Sequence, residues 1–200
     1  PGRLASAQPL QSGAVPQVDH LSVRVVTDSY HHAFEPTRTL RDLRVERYAF
    51  GLKKDAAPRT LLNEWGLSLY LESARGAELK RMLIDFGYTA PTLLNNLELL
   101  SIDPGALDVM VLSHGHYDHF GGLVGFLQAH RARLKPETPF VLGGEECFCT
   151  REAGVGDAAG NFGALDRDAI RAAKLQVQFA ERPSLVGGHA WERNALLRVH

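Results

Sequence analysis

The chain has 200 residues, 44% hydrophobic and 22% charged, which excludes a disordered, collagenous or coiled-coil protein. A chain of this length buries about 70% of its unfolded surface and needs no disulfide framework. Lys and Arg number 22 against 23 Asp and Glu, so the net charge of −1 supplies no global field for nucleic acid or an anionic membrane.

No apolar run approaches the roughly 18 residues of a membrane span. Nine histidines are the one count that the rest of the composition does not explain. Residues 1–17 read as a flexible leader of Ala, Gln, Ser and Pro. Within it Ala5-Ser6-Ala7 is a small-residue element of the kind that ends secretory signal peptides. A cytoplasmic protein and an exported, periplasmic one with its signal removed both stay open.

Residues 18–200 read as one domain. Val18 to Thr27 is rich in β-branched residues and predicts the first strand. Tyr30 to Pro36 is a polar-aromatic loop in which His31-His32 reads as a surface pair. Leu67 to Glu72 alternates cleanly, Ser73 to Gly76 reads as a turn, and Leu79 to Asp85 completes a hairpin. Pro91 suits the first turn of a helix with apolar positions Leu93, Leu94, Leu97 and Leu100. Leu107 to Ser113 is a short buried strand, and helical periodicity resumes over Gly121 to Arg131. Phe140 to Leu142 is another buried strand. Arg151 to Gly163 predicts a long loop, Leu165 to Lys174 a helix, and Leu175 to Ala180 and Ser184 to Val186 strands. Paired strands followed by alternating strands and helices predict sheet layers covered by helices.

Cys147 and Cys149, at i and i+2 of an extended segment, are poorly placed for a mutual bridge. They read as small buried side chains, with a soft-metal pair or redox couple as the alternative.

The informative stretch is Ser113-His114-Gly115-His116-Tyr117-Asp118-His119-Phe120-Gly121-Gly122, between a buried strand and a helix. His114 and His116 are two apart, so an extended loop projects both imidazoles to one side. Asp118 and His119 follow at the turn and can face the same pocket. Gly115 and the Gly121-Gly122 pair permit the sharp bends that crowd four donors together. Neutral imidazoles and a carboxylate suit borderline divalent metals. An H-x-H-x-D-H pattern arises by chance in such a chain with a probability on the order of 0.001.

This motif, with Met82-Leu83-Ile84-Asp85-Phe86-Gly87 upstream, resembles the metallo-β-lactamase superfamily. Leu67-Ser68-Leu69, the Leu83-Ile84-Asp85 strand end, Asn95 to Leu100 and Leu112 to His119 occur in the order seen in one subgroup. That subgroup is similar to the dihydropterin–ribofuranosylaminobenzene-phosphate synthases, and most of its bacterial members are called metallo-hydrolases. The resemblance covers about residues 18 to 145. It implies an α+β fold, the αββα sandwich, with a dinuclear site at one edge of the two sheets. It also implies two divalent ions, zinc first and iron or manganese as alternatives. His114 and His116 would bind the first ion, Asp118 and His119 the second, while Asp85 would be a structural carboxylate beneath the loop.

The implied reaction is hydrolysis of a small-molecule substrate by a metal-bound hydroxide, with Asp118 also catalytic. Tyr117, between the ligands, reads as a packing residue. The family pattern needs further histidines downstream. His130 reads as a solvated helix-face residue and His200 is the last residue. His189, in Gly187-Gly188-His189-Ala190, is the one in-chain candidate donor. The chain is therefore expected to lack the C-terminal part of its domain. A lactonase or β-lactamase on the same fold, and a non-catalytic metal-binding protein with an incomplete site, are the alternatives. Oligomeric state stays open.

Overall fold

The computed structural model describes residues 17–30, 36–46, 59–156, 160–180, 184–186 and 190–192. The expected leader, His31, His32, His189 and His200 lie outside them. The first elements are strands β1 (His20–Thr27), β2 (Arg38–Leu40), β3 (Leu43–Val45), β4 (Ser68–Arg75) and β5 (Glu78–Ile84). Helix α1 (Ala90–Leu99), strand β6 (Val109–Leu112), and helices α2 (Tyr117–Phe120) and α3 (Leu123–His130) follow. Next come β7 (Pro139–Leu142), β8 (Glu152–Ala153), β9 (Gly160–Asn161), α4 (Arg167–Ala172), β10 (Gln176–Phe179), β11 (Ser184–Val186) and β12 (Ala190–Glu192).

Six strands form one mixed sheet in the order β1-β4-β5-β6-β7-β10. The first two pairings are antiparallel and the last three parallel. Each parallel step is bridged by helix, which is what a parallel crossover requires. The period of two along the strands gives the sheet two apolar faces. Leu83, Met110, Leu112, Phe140 and Leu142 face the helices and pack with Leu93 and Leu97 of α1, Phe126 of α3 and Ile170 of α4. Met82, Val109, Val111 and Val141 face the other way and pack with Val186 of β11. The chain is thus α+β, with one helical layer on one face of the sheet and strand β11 packed on the other.

Three local expectations are corrected. The hairpin turn is Gly76-Ala77, not Ser73 to Gly76, because Ser73 is buried and paired on both sides, with Leu21 and with Lys80. Gly76 supplies the left-handed φ of +58° that so short a turn requires. The Cys147 segment is a 3-10 turn (Glu145–Phe148) rather than extended, and only Cys147 is buried while Cys149 is exposed. Within the predicted loop at Arg151 to Gly163, the two-residue strands β8 and β9 pair. The β2–β3 hairpin was not predicted either.

Helix α1 shows how local and distant residues cooperate. Thr89 occupies its N-cap but makes no capping bond with its own side chain. The Glu64 carboxylate takes that role, accepting from the Tyr88 and Thr89 N–H groups and the Thr89 hydroxyl, each at 2.7 Å. Asn96, fully buried, donates to the carbonyls of Val26 and Leu62 and accepts from Leu62 N–H. It ties the segment before β4 to both the helix and β1.

Candidate functional site

Strands β5 and β6 run parallel and end side by side, so the residues that follow them meet at one sheet edge. Asp85 follows β5. It is buried and left-handed at φ +59°, a backbone region few side chains adopt but Asp tolerates. Its N–H donates to Val111 O at 2.9 Å, which locks the turn onto β6. The carboxylate then reaches the motif: Oδ1 accepts from Ser113 N–H at 2.8 Å, and Oδ2 accepts from the Ser113 hydroxyl at 2.8 Å. Oδ2 also meets His119 Nδ1 at 2.7 Å.

These contacts determine both imidazole tautomers. An ionised carboxylate only accepts, so His119 Nδ1 carries the proton. Ser113 has one hydroxyl proton and gives it to Asp85. Its oxygen, 2.9 Å from His114 Nδ1, must therefore accept from that ring. Both rings are held at Nδ1 and leave the Nε2 lone pair for another partner. The ring centroids of His114 and His119 lie 4.1 Å apart, and His116 stands 4.5 Å from His114. Asp118 Oδ2 approaches His119 Nε2 at 3.5 Å.

The electrostatics separate the two rings. Burial, then the neighbouring His119 and His116, holds His114 below its ordinary pKa and keeps it neutral. Burial pulls His119 down as well, but the Asp85 hydrogen bond and the charges of Asp85 and Asp118 outweigh it and raise its pKa. Two carboxylates that draw positive charge to a ring also favour a cation beside it.

The backbone is packed just as closely. Leu67 N–H donates to Asp118 O at 3.1 Å and Phe86 N–H to His119 O at 2.7 Å. A Cβ on Gly121 would stand 2.1 Å from Tyr88 O, and one on Gly122 would stand 2.3 Å from Phe86 O. Only glycine admits that approach. Gly115 is pressed in the same way against Cys147, at 2.7 Å from its Cα. The Cys147 thiol is pushed up to about 11 chiefly by burial, so it stays protonated and serves as packing.

The structure therefore brings together His114, His116, Asp118, His119 and Asp85. No group of three or more His, Cys, Asp or Glu side chains among the described residues is already arranged to hold an ion. The donor chemistry nevertheless fits one: a neutral imidazole, a second ring fixed by a carboxylate, and Asp118 beside it. Metal-binding histidines are commonly anchored through their other ring nitrogen in this way. Tyr117 is partly buried, packed on Tyr88 at 4.9 Å and Phe120 at 5.3 Å between ring centroids. His130 is not on a solvated face: it is half-buried, its ring 5.4 Å from that of Phe126. Burial first, and Arg133 second, lowers its pKa. A cavity of about 410 Å³ lined by Leu94, Ile102, His130 and Arg133 contains none of the motif residues. Ser113 and Glu64 were missed as supports. Ser113 lay in plain sight next to His114, whereas nothing in the sequence pairs Glu64 with Tyr88.

Residues 75–139, from the last residue of β4 through the motif to the start of β7, match the family model of the metallo-beta-lactamase superfamily. The likeness to that superfamily is carried by this stretch, about a third of the chain. Over 66 residues the chain is 39% identical to the 7,8-dihydropterin-6-methyl-4-(beta-D-ribofuranosyl)-aminobenzene-5'-phosphate synthase of Methanocaldococcus jannaschii. Over 44 residues it is 52% identical to an uncharacterized protein of the same organism. These alignments take in 33% and 22% of this chain, and only 22% and 17% of the two relatives' lengths. Among solved structures, a B3 metallo-beta-lactamase with an active-site glutamic acid aligns with TM-score 0.37 and 19% identity, over 64% of this chain and 44% of that one. A motif mutant of a metallo-beta-lactamase from Cronobacter sakazakii aligns with TM-score 0.34 and 18% identity, over 56% of this chain and 40% of that one.

Proposed function

We propose that this chain is a metal-dependent hydrolase of a small-molecule substrate, of the metallo-beta-lactamase superfamily that residues 75–139 resemble. His114, His116, Asp118 and His119 would hold two divalent ions, zinc first. The observation that supports this best is the anchoring of His114 through Ser113 and of His119 through Asp85, which leaves two Nε2 atoms available on adjacent rings. Such ions, when bound, supply a Lewis acid for a substrate oxygen and a nucleophile at neutral pH. The chain's own groups do the rest. Asp85, buried beneath the loop, fixes the orientation of His119 through Nδ1. Asp118, partly exposed, adds negative charge beside His119 and presents Oδ2 as the oxygen that takes and returns a proton to a leaving group.

The test is elemental analysis of purified protein together with a turnover panel of lactones, β-lactams and phosphoesters. Wild type is expected to hold two ions and to turn over one class, while His116→Ala and Asp118→Ala lose both metal and turnover. Retained activity in both variants refutes the assignment. The relative is named a synthase, so transfer to an acceptor other than water is the second reading. Metal-loaded wild type that hydrolyses no member of the panel would favour it. One loosely held ion or none would favour a non-catalytic binding protein.

A further inference from the structure

Beside the motif lies an aromatic row whose outer member, Trp65, neither the core nor the donor set explains. Trp65 is 67% exposed, an unusual state for an indole, since burying a large aromatic is strongly favourable. Its ring lies nearly parallel to that of Tyr88, 17° between planes and 6.5 Å between centroids. Tyr88 in turn meets Tyr117 edge-on at 4.9 Å, and Tyr117 stands between His116 and Asp118 in the chain. The row runs from solvent to the donor loop.

Trp65 is exposed, yet its backbone is held on both sides. Glu64 accepts three hydrogen bonds from Tyr88 and Thr89. Gly66 is pressed against the backbone of Asp118 and Tyr88, where a Cβ would stand 2.7 Å from each, and Leu67 N–H bonds Asp118 O. The backbone that carries the ring is therefore already ordered before a ligand covers it.

We propose that Trp65, backed by Tyr88, is a stacking platform that selects substrates bearing a planar aromatic or heteroaromatic ring next to the group delivered to the motif. This rests on the metal-centre reading above, which supplies the other anchor. Trp65 is a specificity residue and takes no part in the bond-breaking step. Offset ring stacking beyond simple area burial corresponds to a roughly two- to tenfold gain in affinity.

The probe is 4-nitrobenzoate, whose carboxylate suits the donor loop and whose ring quenches indole fluorescence. The aliphatic control is cyclohexanecarboxylate, measured by competition. Trp191→Phe protein, zinc-loaded, makes Trp65 the only tryptophan. The aryl acid is expected to bind up to about tenfold more tightly than its control, with quenching of Trp65. Trp65→Ala, followed by calorimetry, should erase the preference, and Trp65→Phe should retain most of it, with zinc per chain and Tm unchanged in both. An aryl preference absent from wild type, or surviving in Trp65→Ala, overturns the platform. Zinc per chain reports separately on the metal centre, so loss of one reading is distinguishable from loss of the other.

Discussion

Asp85 receives three donors on two oxygens, from the Ser113 backbone, the Ser113 hydroxyl and His119. An amide has one acceptor oxygen where the carboxylate has two. Asp85→Asn therefore strands at least one buried donor and is expected to lower stability by about 1–3 kcal/mol. Urea unfolding checks the cost, and histidine nitrogen shifts by NMR should show His119 losing its single tautomer. Asp108 sets a pH dependence at the other end of the same strands. It accepts from Arg81 N–H at 2.9 Å and from Lys135 Nζ at 2.8 Å. Burial, the largest influence, raises its pKa, but the Lys135 and Arg81 hydrogen bonds and the Lys135 and Lys80 charges together hold it below the ordinary 3.8. A depressed carboxylate stabilises the fold above that value, and the contribution is lost as pH falls through the lower folded value. Stability measured from pH 7 to pH 2 should show a wild-type acid limb that is shallower in Asp108→Asn.

At the level of elements, Glu64 caps α1 from 25 positions away, so Glu64→Ala should cost about 1–2 kcal/mol, comparable to loss of an ordinary N-cap. Thermal unfolding would show it, and a variant as stable as wild type would remove the capping role. This case marks where a sequence stops being readable. Strands β4 and β5, helix α1 and the buried strands β6 and β7 were legible because each carries its own periodicity, and the donor loop because its donors are consecutive. The β2–β3 hairpin was not, since Arg38-Thr39-Leu40-Arg41-Asp42-Leu43-Arg44-Val45 has no buried face to impose alternation, and all six strand residues are exposed. Ser73 to Arg75 looked like a turn because polarity was read locally, while pairing on two sides kept it extended. The chemistry of His114 and His119 was visible in residue types. Their tautomers were not, because they depend on where Asp85 lands after folding.

Across the whole molecule, one ring joins the site to the core. Phe86, directly after Asp85, is fully buried and packs on Phe126 of α3 at 5.7 Å and Phe140 of β7 at 5.9 Å between centroids. Phe86→Ala should cost about 3–5 kcal/mol. Phe86→Leu should cost less, and denaturant titration would rank the two. Because Asp85 hangs from that anchored residue, the alanine variant should also loosen the His119 ring, which links packing to the chemistry at the strand ends.

The glycine-mediated contact of the motif with the Phe86–Tyr88 turn has a consequence for exchange with solvent. The amides of Leu67, Phe86 and Gly122 lie outside the sheet ladder, yet each donates to a carbonyl of a neighbouring connection. Three connections are thereby closed by reciprocal bonds, so none of these protons can be released by fluctuation of one segment alone. Deuterium should enter Leu67 and Phe86 at rates typical of strands β5 and β6, with one shared opening free energy. A catalytic-type loop would then melt with the sheet, as part of its last cooperative unit, rather than ahead of it.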